Sequence, residues 1–285
     1  MINNHTIAIL LATYNGGLFL NEQLESLFAQ TCQDWELYVH DDCSTDNTIA
    51  IVKEYQSRFS GKIHLLEDQI SKGRGAKESF MWLLQHVESQ YYAFCDQDDI
   101  WLPNKIELTF ARLMEEEKRN PNVPLMVYTD LTIADSECTP QASYWKSSKM
   151  DDEWFDSFDS YIAQFGRCMG CTSMINHRVK EVSFPMNEKV WGHDYWLALK
   201  TCATGGKCIS IPVETILYRQ HGSNTSGGAP VYDTKWWFVR KLKRLDGLIA
   251  QYQQQYAFIK EVTNVSWCRF LSSKIHILFY RFTHS

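Results

Sequence analysis

Strand-like stretches alternate with stretches of helical periodicity along the first 120 residues, a pattern that predicts four strand–helix pairs. The predicted strands are TIAILLA (6–12) and YYAFC (91–95), which are apolar runs, and WELYVHDD (35–42) and KIHLLE (62–67). The stretches with apolar residues at helical spacing cover 16–30, 44–59, 76–87 and 103–120. Four such units in succession predict a parallel, doubly wound α/β sheet that binds its ligands at the carboxyl ends of the strands.

The pattern becomes less regular after Asn120. Apolar runs at 124–133, 169–175 and 207–219 predict further strands, and HDYWLALKTCATGG (193–206) predicts a helix that ends at glycine. Residues 135–165 are rich in aromatic residues, serine and aspartate, which indicates a long loop or short helices covering a site.

Three of the first four predicted strands end in polar clusters, at ATYN (12–15), HDDCSTD (40–46) and CDQDD (95–99). The predicted sheet brings these ends to one edge, where they face a common crevice. Asp96 and Asp98 alternate as D-x-D, a spacing that can direct two carboxylates at one hard divalent cation such as Mg²⁺ or Mn²⁺. An acidic surface turn without a metal is the alternative for this motif taken alone.

Composition and charge limit the classes of protein to which the chain can belong. With 285 residues, 45% of them apolar, the chain is long enough for a large globular domain. The net charge of −6 predicts no nucleic-acid partner, although residues 231–285 hold nine Lys/Arg against three Asp/Glu. The nine cysteines lack the spacing of a closed zinc site and predict reduced thiols. Neither a signal sequence nor a membrane span is evident, so we expect a cytoplasmic location.

Five motifs in order resemble the family 2 glycosyltransferases, which have the GT-A fold, a Rossmann-like and mostly parallel sheet flanked by helices. The motifs are LATYNGGLFLNEQLESLFAQT, HDDCSTDNT, CDQDDIWLPNKIE, GHDYWLALK and YRQHGSNTSG, within about residues 6–228. Within that family the chain looks most similar to bacterial rhamnosyltransferase-type enzymes of O-antigen, capsule and cell-wall polysaccharide assembly. The resemblance implies a catalytic domain over 1–230, with a nucleotide-sugar half at about 1–120 and an acceptor half at about 121–230.

The resemblance also implies a donor site for a pyrimidine nucleotide sugar, either a dTDP-sugar or a UDP-sugar. Tyr14 would lie against the nucleobase, and Asp42 would accept a hydrogen bond from its imide N–H. The positions expected to line this site are Ala12, Tyr14, Asp42, Gly73, Arg74, Asp96 and Gln97. A plain turn, a helix cap and a solvated basic loop are the structural alternatives for these stretches.

By the same resemblance, Asp98 would bind the divalent cation together with Asp96 and His221. Asp194 would be the catalytic base of an inverting transfer, taking the proton from the acceptor hydroxyl. His193 stands where many relatives have glutamate, and its role is left open between acceptor contact and helix cap. Trp191 and Trp196 flank the expected base and are candidates for stacking on an acceptor sugar, with core packing as the alternative.

The basic, aromatic tail at 231–285 contains two stretches of roughly helical periodicity, 236–260 and 268–282. Their mixture of aromatic residues with Lys and Arg is typical of amphipathic helices that rest on anionic lipid. We expect a helical C-terminal extension that places the enzyme on the inner face of the membrane, near a lipid-diphosphate-linked oligosaccharide acceptor. The alternatives are a helical pair packed on the catalytic domain and a homodimer contact.

Together these features predict a metal-dependent, inverting glycosyltransferase. The best candidate reaction moves L-rhamnose from dTDP-rhamnose, and a UDP-glucose or UDP-galactose transferase of the same fold is the alternative. A sugar nucleotidyltransferase is less well supported because its usual glycine-rich basic signature near the N-terminus is absent. A non-catalytic carbohydrate-binding protein would have no reason to bring Asp98 and Asp194 together.

Overall fold

The four predicted strand–helix pairs form the parallel half of a nine-stranded sheet in the computed structural model, which describes residues 7–68, 72–150, 152–164, 166–222 and 245–283. The strands are β1 (Ile7–Thr13), β2 (Trp35–Asp41), β3 (Ile63–Leu65), β4 (Tyr91–Cys95), β5 (Ile100–Trp101), β6 (Leu125–Ala134), β7 (Pro140–Ser143), β8 (Ser173–Asn176) and β9 (Lys207–Arg219). Their order is β3-β2-β1-β4-β8-β6-β9-β5, with β7 paired to β6. The predicted α/β fold class is confirmed.

Helices cover both faces of this sheet. They are α1 (Leu20–Phe28), α2 (Thr48–Arg58), α3 (Ala76–His86), α4 (Lys105–Arg119), α5 (Tyr144–Ser147), α6 (Phe158–Ile162), α7 (His177–Ser183), α8 (His193–Ala203), α9 (Leu245–Val262) and α10 (Trp267–Thr283). Single 3-10 turns occur at Glu153–Asp156 and Gly170–Thr172. One core, on the face covered by α3 and α8, includes Phe80, Phe94 and Trp196, and the core on the opposite face includes Leu24, Val52 and Ile106.

The second half of the sheet mixes strand directions. β8 lies between β4 and β6 and is antiparallel to both, while β6 and β9 run parallel to each other. The predicted region 135–165 contains β7, α5, the first 3-10 turn and α6, so short elements replace one long loop. A buried ion pair between Arg167 and Asp156 joins this region to β9, where Ser210 also contacts Asp156.

The C-terminal helices pack on the middle of the chain. On α10, Arg269 Nε lies 2.7 Å from Asp159 Oδ1, Lys274 Nζ donates to the carbonyl of Ala163, and the ring of Tyr280 contacts Phe155. The described part of the tail therefore packs on the preceding part of the chain, which is one of the expected arrangements. Its most basic segment, 231–244, lies outside the described residues. None of the described helices is long and apolar enough to cross a membrane.

Candidate active site

Strands β1, β2 and β4 end side by side, which brings the three polar clusters together as predicted. Thr13 is in register with Asp41, and its hydroxyl donates to the Asp41 carboxylate at 2.8 Å. Ala12 lies opposite His40 near the end of β1. The loops that follow these strands therefore share one edge of the sheet, where α/β proteins bind ligands.

The loop after β1 is fixed on the loop after β2. Asn15 has a positive φ of 47°, a conformation that asparagine tolerates better than most residues. Its backbone N–H donates to Ser44 Oγ and its side-chain oxygen accepts from the N–H of Thr45, both at 2.8 Å. The ring of Tyr14, the residue predicted to lie against the nucleobase, is left 56% exposed.

Gln97 joins Tyr14 to the loop of the D-x-D motif. The backbone N–H of Tyr14 donates to Gln97 Oε1 at 2.8 Å, and Gln97 Nε2 donates to the Tyr14 carbonyl at 3.0 Å. A Cβ atom on Gly16 would lie 2.2 Å from Gln97 Oε1, so this contact requires glycine at position 16. Gln97 was expected to line the donor site; its amide binds the main chain of Tyr14.

Asp42 organises the loop that leads into α3. Its two carboxylate oxygens accept hydrogen bonds from the N–H groups of Arg74 and Gly75, each at 2.8 Å. A Cβ on Gly73 would lie 2.8 Å from the Asp42 carbonyl, and the Arg74 guanidinium pairs with Asp68. Two N–H groups of the loop expected to line the donor site thus hold the carboxylate of Asp42. Each carboxylate oxygen can accept a further bond, so the contact to a nucleobase stays a prediction.

Asp98 and His221, two of the three expected cation ligands, are brought together from distant parts of the chain. His221 Nε2 lies 2.8 Å from Asp98 Oδ2, and the two side chains are only 11% and 14% exposed. The His221 ring packs against Phe19 at a centroid distance of 4.6 Å. A carboxylate and an imidazole are ligands that Mn²⁺ accepts, so this donor set fits the expected ion.

Arg219 fixes this pair, a role that the sequence did not reveal. It is buried at the end of β9, its Nε donates to the backbone carbonyl of Asp98 at 2.9 Å, and its guanidinium pairs with Glu22. The guanidinium also lies over the ring of Phe19. Arg219 lies two positions before His221, and residues two apart on an extended chain share a face. The sequence feature that could have indicated this role is a charged residue at the end of an apolar strand.

Asp96, the third expected ligand, lies with two residues that were not predicted, Asp99 and Cys171. One ligand atom from each of these three residues lies within 4.8 Å of the others. Burial, followed by the charges of Asp98 and Asp194, raises the pKa of Asp96 to about 7. A cation bound among these carboxylates would relieve that repulsion. The aspartate cluster can therefore hold a divalent metal ion.

Asp194, the expected base, lies in the first turn of α8 and next to this cluster, because its carboxylate contacts the residue that precedes Cys171. Its two carboxylate oxygens accept from the N–H of Tyr195 at 2.7 Å and of Gly170 at 3.2 Å. A Cβ on Gly192 would lie 2.6 Å from Asp194 Oδ1, so glycine gives the carboxylate the space it occupies. The two backbone donors fix the orientation of the carboxylate, which a general base requires.

His193 packs inward from the start of α8. Its ring contacts Phe80 and Phe94 at centroid distances of 4.4 and 5.3 Å. Burial lowers the pKa of His193, so the imidazole is neutral at neutral pH. The residue at the N-cap position of α8 is Gly192, so His193 does not cap the helix. Aromatic packing accounts for the position of the His193 ring, and the acceptor contact stays a prediction.

The two tryptophans that flank Asp194 have opposite environments. Trp196 is 3% exposed and its indole N–H donates to the Ser183 carbonyl at 2.7 Å. The expectation that Trp196 contacts an acceptor is therefore wrong, because the core encloses its ring. Trp191 is 66% exposed and lies stacked on Tyr195.

Comparison with known proteins gives consistent results. Residues 8–153 match the model of the family described as glycosyl transferase family 2. The chain is 27% identical to the dTDP-rhamnosyl transferase RfbG of Shigella flexneri over 90% of this chain and 83% of that protein. It is 31% identical to the Escherichia coli UDP-Glc:alpha-D-GlcNAc-diphosphoundecaprenol beta-1,3-glucosyltransferase WfgD over 40% of this chain and 43% of that protein.

A solved structure shows the same fold at low sequence identity. The mannosyltransferase PcManGT of Pyrobaculum calidifontis, solved in complex with GDP-Man and Mn²⁺, superposes with a TM-score of 0.61. The match covers 96% of this chain and 69% of that protein at 16% identity. The strand order and the helices on both sheet faces are therefore those of a glycosyltransferase fold of the GT-A type.

Proposed function

The chain belongs to glycosyl transferase family 2, and on that premise we propose that it catalyses metal-dependent, inverting transfer of one sugar from a nucleotide-sugar donor to a lipid-linked precursor of a bacterial surface polysaccharide. Membership of this family makes the protein a glycosyltransferase, which leaves no support for the nucleotidyltransferase and the non-catalytic binding protein considered above.

The observation that carries this proposal is the convergence of Asp98, His221 and Asp194 at one edge of the sheet. Asp98 and His221 are in direct contact. After burial, the negative charges of Asp98 and Asp194 contribute to the raised pKa of Asp96. We assign Asp98 and His221 as ligands of a divalent cation, with Asp96 assisting from the adjoining cluster. When bound, Mn²⁺ or Mg²⁺ would offset the negative charge of the departing nucleoside diphosphate.

Asp194 acts as the general base in this proposal. Its carboxylate takes the proton of the acceptor hydroxyl while that oxygen attacks the anomeric carbon, and the nucleotide leaves from the opposite face of the sugar. One bond forms and one breaks at the same carbon, so the configuration inverts. The N–H groups of Gly170 and Tyr195 hold the carboxylate in a fixed orientation.

The donor in this proposal is dTDP-rhamnose, with Tyr14 against the thymine and Asp42 accepting from the imide. Similarity to RfbG over most of both chains supports this choice. A UDP-glucose or UDP-galactose donor is the second candidate, and the similarity to WfgD over 40% of this chain supports it. Ala12, Gly73 and Arg74 would line the remainder of the nucleotide site.

The proposed acceptor is a sugar linked through diphosphate to a lipid, as the name of WfgD states for that enzyme. Residues 231–285 would bring the protein to the inner face of the cytoplasmic membrane as a peripheral protein, adjoining a catalytic domain over 1–230. Exposed Ile275 and Phe279 lie one turn apart on α10 and support this role. A homodimer through the same face is the alternative.

A donor screen tests the proposal. The full chain is incubated with Mn²⁺ and each of a panel of dTDP-, UDP- and GDP-sugars, and the melting temperature is recorded with and without EDTA. A ligand that binds only the folded state raises that temperature. We expect a metal-dependent increase with dTDP-rhamnose, and an increase confined to UDP-hexoses would favour the second candidate. No increase with any donor would refute the proposed function.

A further inference from the structure

Trp191 is the most exposed tryptophan among the described residues, at 66%, and it lies three positions before the proposed base Asp194. A large apolar ring held in water near a functional site commonly marks a binding surface. Its ring stacks on Tyr195 with a centroid distance of 5.2 Å and an interplanar angle of 20°. With one face against Tyr195, the exposure requires the other face to be open to solvent.

The support beneath Trp191 is rigid. Tyr195 is buried, and its hydroxyl donates to the carbonyl of Tyr161 at 2.8 Å. A ring fixed by packing on one side and a hydrogen bond at its tip cannot move aside when a ligand presses on Trp191. The pair therefore forms a preorganised stack rather than a chance contact of two surface side chains.

The backbone that carries Trp191 is also held from two directions. Lys77 of α3 donates from its Nζ to the carbonyl of Val190 at 2.9 Å. On the other side, Glu261 of α9 accepts from Lys189 Nζ at 2.9 Å. Val190 is itself buried. Trp191 is thus exposed on a segment of backbone that contacts with α3 and α9 hold in place.

We propose that Trp191, backed by Tyr195, is the stacking platform for the pyranose ring of the acceptor, the sugar whose hydroxyl Asp194 deprotonates. This inference rests on the proposed function. A pyranose presents an apolar face of C–H groups that packs well on an aromatic ring, and its hydroxyl groups remain free for the carboxylate. Gly192, which separates the platform from the base, has no side chain to obstruct the ring.

The position of Trp191 favours a sugar over a lipid surface as the occupant. Trp191 lies three positions before Asp194, whose carboxylate binds the N–H of Gly170 beside Cys171 of the aspartate cluster. The exposed Ile275 and Phe279 lie on a different element, α10. Trp191 therefore has a different role from these residues of the tail.

The test measures binding of simple sugars to the nucleotide-loaded protein. The full chain is saturated with Mg²⁺ and dTDP or UDP, and a panel of methyl pyranosides is titrated while saturation-transfer NMR records the ring C–H protons. In Trp191→Ala we expect the pyranoside affinity to fall by about tenfold or more, and in Trp191→Phe by less, because a smaller ring still stacks. Trp267→Ala on α10 is the matched control, since Trp267 is also exposed and stacked on a neighbouring ring.

The outcomes separate this inference from the proposed function. Unchanged pyranoside affinity in Trp191→Ala, with nucleotide binding preserved, would overturn the platform and leave the proposed function intact. A nucleotide-loaded wild type that binds none of the pyranosides would overturn it as well. A wild type that binds no nucleotide would refute the proposed function itself, and the platform with it. An equal loss in Trp267→Ala would show that the effect is not specific to position 191.

Discussion

Replacing Gln97 by alanine should weaken nucleotide binding, because its amide fixes the main chain of the residue proposed to carry the nucleobase. The wild type makes two hydrogen bonds to Tyr14, at 2.8 and 3.0 Å. A typical intramolecular hydrogen bond contributes about 1 kcal/mol net, so the two bonds together contribute about 2 kcal/mol. In Gln97→Ala, the nucleotide must bind without these bonds holding Tyr14 in position. Up to about 2 kcal/mol of binding free energy is then lost, which raises the nucleotide Kd by up to about 30-fold.

Isothermal titration of dTDP and UDP into the full chain, with Mn²⁺ present, measures this effect. Gln97→Glu separates the two bonds, because a carboxylate still accepts from the Tyr14 N–H but cannot donate to its carbonyl. Gln33→Ala is the matched control: Gln33 also donates to backbone carbonyls, those of Phe28 and Gln30, but at the amino end of β2. A Kd for folded Gln97→Ala within twofold of the wild-type value would refute the reasoning.

Four further changes test the remaining assignments. Asp98→Asn should lower Mn²⁺ affinity, read from the EPR signal of the free ion, by at least about tenfold, and unchanged affinity would contradict its role as a ligand. Asp194→Asn should lower kcat by about 10²- to 10⁴-fold with nucleotide Kd unchanged, and a kcat near the wild-type value would exclude it as the base. The raised pKa of Asp96, about 7, means that the folded state keeps a proton that the unfolded state loses near pH 4. The unfolding free energy of the metal-free protein should therefore fall by about 1 to 3 kcal/mol between pH 4 and pH 7, measured by urea denaturation. Asp96→Asn should reduce this fall, and the remainder should come from Asp99, whose pKa is also raised by burial. Arg219→Met should cost about 2 to 4 kcal/mol of unfolding free energy and also weaken Mn²⁺ binding, since it removes a buried charge that contacts the metal loop; a loss of stability alone would make Arg219 purely structural.

Local patterns made the first half of the fold predictable. The sequences of β1 to β4 are strand-like, and those of α1 to α4 show helical periodicity, so each element could be recognised from its own residues. The two-residue strand β5 and the exposed strand β7 carry no such signal, because their pairing depends on β9 and β6. The antiparallel position of β8 between β4 and β6 likewise depends on distant segments of the chain.

The candidate site shows the same division. The D-x-D spacing placed Asp96 and Asp98 correctly at the end of a buried strand, but the hydrogen bonds of Gln97 reach across 83 residues and leave no local pattern. Trp191 and Trp196 are identical in type and lie close together in the sequence, yet Trp196 lies on the buried face of α8 and Trp191 precedes that helix and is exposed. A single sequence indicates which side chains could act in a site. The role of each side chain is determined by its neighbours across the sheet, which the sequence does not show.

The contacts of α10 have a consequence for synthesis on the ribosome. The parallel half of the sheet consists of neighbouring units and can begin to fold as the chain emerges, because its contacts are comparatively local. Tyr280, by contrast, packs on Phe155, and Lys274 binds the carbonyl of Ala163, so the middle of the chain gains these packing partners only from α10. Asp98 likewise pairs with a residue made 123 positions later, His221. We therefore expect nascent chains to expose the middle of the chain to chaperones until α10 has left the ribosome, and the pair of Asp98 and His221 to form only after β9 has emerged.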